Sequence, residues 1–469
     1  ARGQPSRSLT RSKARGQPSR SLTRSKARGQ PSRSLTRSKA RGQPSRSLTR
    51  SKARGKLNRT LNPIRGRVTR KPTHHPLANR NTGQPSRPLN RSGNTRGVLN
   101  KGMFDRRLLK NFDYQLFLIM LVLCAYGLFI ISSATQGLPI EDPSTYVRKQ
   151  AVWMVLGFVA LLLVVSIDYI NYYRWSPYLY LANLFFLILV IFIGKEAGGA
   201  SRWIDLIIFD FQPSEFAKII VIISLARLLV NYKDRLEEFS GVLLISCYVA
   251  PPILLIFLQP DLGTALVFII IFFGMLYMAG VPAKYLGLIA GSGIIAFPFL
   301  WSQLQDYQKM RLIVFINPEL DPLGFGYQLT QSVIAIGSGG LSGKGIYEGT
   351  QARLQFLPAQ HTDFIFSVLG EEMGFLGALA LLFLYFLLIY RILKIGSFSK
   401  DSFGALICTG VATLITFQVL VNIGMALSIM PVTGLPLPFM SYGGNSIIMN
   451  IVCIALVLNV GMRRHKIQF

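Results

Sequence analysis

Leu258-Gln259-Pro260-Asp261-Leu262-Gly263-Thr264 places one carboxylate at the junction of two apolar runs, 241–258 and 262–280. An ionisable side chain held in hydrocarbon costs at least ~2.5 kcal/mol, and such groups line a water-filled cavity or a site. A lone carboxylate there can act as a general base, taking a proton from an attacking hydroxyl. The structural alternative is an N-cap for the following helix, with Thr264 at N3. A second charged motif is Pro213-Ser214-Glu215-Phe216-Ala217-Lys218. Pro213 reads as a helix start, and Glu215 and Lys218 share one face of that helix at i, i+3. They form either a structural salt bridge or a phosphate site in which Glu215 holds Lys218.

Three loops carry the remaining polar candidates. Arg202 lies in Gly198-Gly199-Ala200-Ser201-Arg202-Trp203-Ile204-Asp205, and Arg353, His361 and Asp363 close a segment of nearly sixty residues, 303–362, that holds no full span. A connection that long is expected to fold back on the membrane surface or cover a site, with a short interfacial helix over 327–336. Thr362 or Asp363 is expected to cap the span that follows. Ser441 and Tyr442 end the Pro- and Gly-rich loop 431–446, whose irregular backbone suits the wall of a cavity. Cys124, Cys247, Cys408 and Cys453 fall inside apolar spans without paired spacing, so neither a disulfide framework nor a metal site is read from them.

The elements that must position these groups are membrane helices. Half of the 469 residues are hydrophobic and 15% are charged, too apolar a balance for a soluble protein of this size. Ten apolar segments reach spanning length: 115–133, 147–167, 176–193, 215–231, 241–258, 261–280, 284–302, 363–392, 404–429 and 442–462. The expected fold is an all-α integral membrane protein of ten transmembrane helices, with a long extracytoplasmic loop between spans seven and eight. Short connections on one side hold thirteen basic residues, against eight on the other, mostly in long loops. Basic residues in short loops stay in the cytoplasm, so both termini are expected inside. Asp261 and all three loops then share the outer face, which suits a substrate handled at the outer leaflet rather than one carried across.

The formal charge of +30 does not belong to this body. Residues 1–111 contain 31 Lys or Arg and one acid, Asp105, whereas residues 112–469 contain 20 of each sign. Residues 1–52 are four copies of ARGQPSRSLTRSK, and 1–102 read as a basic low-complexity tail, disordered or non-native. Every methionine lies at Met103 or later, so Met103 is the expected start, and 103–469 the membrane domain. A tail of this kind could bind membrane lipids; no specific nucleic-acid module is expected.

Taken together and in this order, these motifs resemble the SEDS (shape, elongation, division and sporulation) family of bacterial cell-wall proteins over essentially all of 103–469. Met103-Phe104-Asp105-Arg106-Arg107, Gly349-Thr350-Gln351, Leu357-Pro358 and His361-Thr362-Asp363-Phe364-Ile365-Phe366 look more like its elongation branch than its division branch. The resemblance implies a multi-pass glycosyltransferase of the bacterial cytoplasmic membrane. It would polymerise lipid II, an undecaprenyl-pyrophosphate-linked disaccharide-peptide, into glycan strands beside a class B penicillin-binding protein. The family's aspartate then matches Asp261, its intramembrane Glu and Lys match Glu215 and Lys218, and its arginine matches Arg202. Asp210 departs from the pattern, since relatives often carry a basic residue before the Gln-Pro. Such a reaction needs a base and positive charge on the leaving pyrophosphate, from Lys218, Arg202, Arg353 or a divalent cation, Mg or Mn, and no organic cofactor. A lipid II flippase and a non-catalytic scaffold for the transpeptidase are the competing functions.

Overall fold

The structure, a computed structural model, describes residues 110–137, 142, 144–197, 200–205 and 210–464. These belong to one compact unit, 91–469. The four repeats and Met103 lie outside the described residues. All ten expected spans are helices: α1 Tyr114–Ala134, α2 Ser144–Ser166, α3 Tyr169–Ile193, α4 Pro213–Asn231, α5 Phe239–Leu258, α6 Leu262–Met278, α7 Ala283–Gln303, then, after two shorter helices, α10 Ile365–Ser397, α11 Ser402–Ala426 and α12 Gly444–Met462. Eight of them are long and apolar enough to cross a membrane. The other two fall short for identifiable reasons: α6 has 17 residues, and α4 carries Glu215, Lys218 and Arg227 within its 19. The protein is therefore a multi-pass, mainly helical membrane protein, with eight rather than ten spans clear from length and composition alone.

Local chemistry fixes the helix ends. Asp113, Asp168 and Asp401 each accept a backbone N–H as the N-caps of α1, α3 and α11. Pro213 opens α4, where its missing N–H costs nothing. α10 is 33 residues long, about 50 Å at 1.5 Å per residue, which exceeds a bilayer core of about 30 Å. It is broken at Gly374, where φ is +61°. There the broken backbone is satisfied by the preceding loop: Lys344 N–H donates to Glu371 O at 3.0 Å, and Phe375 N–H donates to Gly340 O at 3.0 Å.

α11 and α12 form the centre of the bundle, packed against each other and against α4, whereas α7 has no buried residue along its whole length. The long segment 303–362 does fold, into α8 Asp306–Ile316, α9 Phe325–Ser338 and a single turn at Thr350–Arg353. α9 contains the expected interfacial stretch and packs on α10 and on the end of α11, where Ser332 donates to Ala426 O at 2.6 Å. One departure from an all-helical reading is a small antiparallel sheet before α4, in the order β1 Lys195–Ala197, β2 Ala200–Asp205 and β3 Asp210–Phe211. Its strands have only two to six residues, too short for an alternation of apolar and polar residues to show in sequence.

Candidate functional site

Asp261 stands where α5 turns into α6 and is the N-cap of α6. Its Oδ1 accepts the Thr264 backbone N–H at 3.1 Å, and its Oδ2 accepts the Thr264 hydroxyl at 3.0 Å. The capping role expected as an alternative is thus real, and it leaves acceptor capacity free, since a carboxylate has about four lone-pair sites. Arg202 reaches over from β2: its Nη1 is 3.7 Å from Asp261 Oδ2, and its Nη2 donates to Pro260 O at 2.6 Å. The Tyr307 hydroxyl of α8 donates to the same carbonyl at 2.7 Å. Asp261 and Arg202 are therefore joined through the turn that presents the acid.

Arg311 lies one helical turn after Tyr307, with its guanidinium 4.9 Å from the centre of the Phe325 ring. It feels the carboxylates of Asp363 and Asp261 and the like charge of Arg202; burial still draws its pKa down. Asp363 shows the converse: burial pushes its carboxyl above the usual range, while Arg311, the Thr362 hydroxyl and Arg202 pull it back. Gly434, at φ +72°, lies between the two, where a Cβ would sit 3.8 Å from Arg311 Nη1 and from Asp363 Oδ2. At Gly263 a Cβ would come 2.6 Å from Thr433 O, so the last loop packs directly on the first turn of α6. Asn422 of α11 ties these loops together, donating to Asp363 O at 2.9 Å and Leu435 O at 2.8 Å.

Two acids and two arginines from four separate segments thus meet at one end of the bundle. The Nε of both Arg202 and Arg311 is buried without an acceptor among the described residues. Unsatisfied donors in an enclosed place cost free energy unless an acceptor arrives. A pyrophosphate, rich in oxygens and negative charge, meets that need.

The other sequence candidates sit elsewhere. Lys218 is fully buried and donates to Glu215 Oε1 at 2.6 Å within α4, close to Cys453 of α12; this charge already has its partner. Arg353 is exposed, and its backbone lies against Gly137. His361 packs with Tyr146 and Tyr442 at ring separations of 4.9 and 5.7 Å, and burial lowers its pKa from the ordinary 6.5. The Ser441 hydroxyl donates to Thr362 O at 2.6 Å and accepts the Leu437 N–H at 2.8 Å, so both its bonds hold the loop. The expected cap of the 363–392 span needs correction: the N-cap is Phe364, without a side-chain bond. The amides of Thr362, Asp363 and Phe364 all point to Ala359 O. This leaves the Asp363 carboxylate turned toward Arg311.

Arg311, Tyr307 and Asn422 did not stand out in the sequence. The available signal was the i, i+4 spacing of Tyr307 and Arg311, which is informative only once 306–316 is known to be helical. As a metal centre the site fits poorly. Among the described residues no group of three or more His, Cys, Asp or Glu is arranged for an ion, and the two carboxylates face guanidinium groups.

Comparison with known proteins gives a consistent result. The sequence profile of the FtsW/RodA/SpoVE cell cycle protein family matches residues 114–466. The peptidoglycan glycosyltransferase MrdB of Escherichia coli K12 is 39% identical over 359 residues, covering 76% of this chain and 95% of that protein. A Trichlorobacter lovleyi protein called a probable peptidoglycan glycosyltransferase FtsW is 36% identical over 360 residues, covering 75% and 93%. Among solved structures, a chain from a peptidoglycan synthase complex that coordinates polymerization and crosslinking superposes with a TM-score of 0.65 at 32% identity, covering 76% of this chain and 99% of that one. The crystal structure of Thermus thermophilus rod shape determining protein RodA gives 0.57 at 31%, covering 76% and 98%.

Proposed function

The chain belongs to the FtsW/RodA/SpoVE cell cycle protein family, and from that membership and the geometry around Asp261 we propose that it is a peptidoglycan glycosyltransferase of the SEDS type, serving cell elongation. Its substrate is lipid II, and its partner is a class B penicillin-binding protein that crosslinks the strands it makes. It lies in the bacterial cytoplasmic membrane with both termini inside and Asp261 at the outer face. The helix ends and short connections opposite Asp261 carry Lys233, Arg235, Lys284, Lys400 and Arg464, and basic residues in short loops stay in the cytoplasm, which supports this orientation.

One observation carries the mechanism: the Asp261 carboxylate is fixed by two bonds from Thr264 and faces Arg202 and Arg311, whose buried Nε donors lack acceptors among the described residues. The acceptor sugar hydroxyl gives its proton to Asp261 as its oxygen attacks the donor's anomeric carbon. The bond from that carbon to the lipid pyrophosphate breaks, and the configuration inverts. A positioned base of this kind is worth ~10² to 10⁴-fold. Arg202 and Arg311 take up the charge that develops on the pyrophosphate, in a place where water is largely excluded. Asp363 holds Arg311 in position. Lys218 would join them only after leaving Glu215, and Arg353 only by a movement of its turn. A divalent cation, Mg or Mn, would have to come with the phosphate oxygens of the substrate, since Asp261 and Asp363 are committed as base and as partner of Arg311. His361, Tyr442 and Tyr146 make an aromatic wall near the same loops, suited to the face of a sugar ring.

The test is polymerisation of labelled lipid II by the purified chain with its transpeptidase partner. Asp261→Asn is expected to slow the formation of glycan strands ~10² to 10⁴-fold. Polymerisation at the wild-type rate in this variant overturns Asp261 as the base, and polymerisation by the transpeptidase alone leaves the chain a scaffold.

A further inference from the structure

At the end of the bundle opposite Asp261, two hollows meet. They lie at the start of α1, a helix of 21 residues and so about 31 Å long, whose other end reaches the loops of the candidate site. The first hollow, about 360 Å³, is polar, and its charged lining is Lys110, Asp113, Arg391 and Arg464. The second, about 410 Å³, is almost wholly apolar, lying between Phe117 and Leu121 of α1 and Phe158 and Leu162 of α2 and closed by Met462. Phe112 and Tyr114 line both, so the two adjoin.

The charge in the polar hollow is unbalanced. Asp113 is its one acid, and its charge is already paired: Oδ1 accepts the Leu116 N–H at 2.9 Å, and Oδ2 accepts Arg391 Nη2 at 2.6 Å. Lys110 and Arg464 have no ion-pair partner among the described residues, and the Nε atoms of Arg464 and Arg391 are buried without an acceptor. A cationic, donor-rich chamber opening onto a greasy slot on the membrane-facing side of a helix pair has the polarity of a lipid in reverse. A small soluble anion would use only the first chamber.

We infer that the joined hollows bind one anionic phospholipid, its phosphate against Lys110 and Arg464 and an acyl chain between α1 and α2. Basic pockets between membrane helices recognise anionic headgroups in this way. The assignment does not depend on the polymerase reading, because it concerns the other end of the molecule and is read out by binding.

The experiment is native mass spectrometry of the full chain, delipidated in detergent and titrated with phosphatidylglycerol or with phosphatidylcholine of the same acyl chains. One phosphatidylglycerol is expected to bind at concentrations where phosphatidylcholine does not. Lys110→Ala and Arg464→Ala are each expected to weaken it ~5-fold, the equivalent of about 1 kcal/mol per basic residue. Leu162→Trp, at a membrane-facing position that can accept bulk without disturbing the core, is expected to weaken phosphatidylglycerol while leaving thermal stability unchanged. Equal binding of the two lipids, or unaltered binding in both charge variants, overturns the inference. So does displacement of the lipid by millimolar glycerol 3-phosphate, which would make the site one for soluble phosphate.

Discussion

Two pairs of opposite charges in this molecule use the same residue chemistry to different ends. Glu215 and Lys218, one turn apart on α4, close to 2.6 Å through Glu215 Oε1 with the lysine fully buried, so the lysine's charge is met within the helix. Asp261 and Arg202, brought together from a helix start and a strand, stop at 3.7 Å, with Arg202 partly exposed. The difference lies in how the partners are held. Among the described residues no other hydrogen bond holds the Lys218 ammonium away from Glu215, whereas Arg202 is detained by Pro260 O and Tyr307 and stops short of the acid. The first arrangement stabilises a buried place; the second keeps charge in reserve for something that arrives.

Variants at these pairs can break or sharpen that contrast. The largest effect is expected at Asp261. Asn caps helices as well as Asp does, so Asp261→Asn should retain the melting temperature while polymerisation falls ~10² to 10⁴-fold; a matching loss of stability would reduce Asp261 to a cap. Next comes Lys218→Met, which strands Glu215 in the bundle and should cost ~3 to 5 kcal/mol, with the double variant Glu215→Gln/Lys218→Met recovering most of it. Denaturation of the single and double variants decides this, and full stability with lost polymerisation in Lys218→Met would move the pair into the catalytic group. Arg311→Ala should lower kcat by ~10²-fold, as for loss of one charge-stabilising donor, with Arg311→Lys recovering part of it. Equal kinetics of the alanine variant and wild type would confine the reserve of charge to Arg202.

The smallest effect concerns pH. Burial lowers the His361 pKa below its ordinary 6.5, so its neutral form is favoured in the folded protein. The associated stability is present above the unfolded value and lost as pH falls from there through the folded value. Melting temperature should therefore drop on acidification below about pH 6.5, and less so in His361→Gln. Asp363 has the opposite sign: its raised pKa makes the folded state less costly as pH falls through that value. Asp363→Asn should remove this component from the pH profile.

Much of the scaffold was legible along the chain because membrane helices announce themselves through unbroken apolar length, and every expected span is helical. Pro213 as a helix start and Asp261 as a cap were equally visible, since both depend on neighbours within four residues. Arg311 was not: the helix that carries it has only 11 residues and opens on polar ones, too short and too mixed to stand out as a span. Asp363 was visible as a polar residue but misread as a cap, because a turn closed on Ala359 O makes Phe364 the N-cap and leaves the carboxylate facing Arg311, which depends on conformation rather than on side-chain type.

By itself the sequence determined the membrane class, the helix sites, the isolation of one carboxylate at a helix junction and the family resemblance. These are set by local hydrophobic length, capping chemistry and motif order. Only the tertiary structure decided which charges are free. Arg202, Asp261, Arg311 and Asp363 are scattered over some 160 positions, and whether a guanidinium is spent or available depends on distances across the bundle. Chain spacing encodes such distances within a helix, as for Glu215 and Lys218, but not between segments joined by packing.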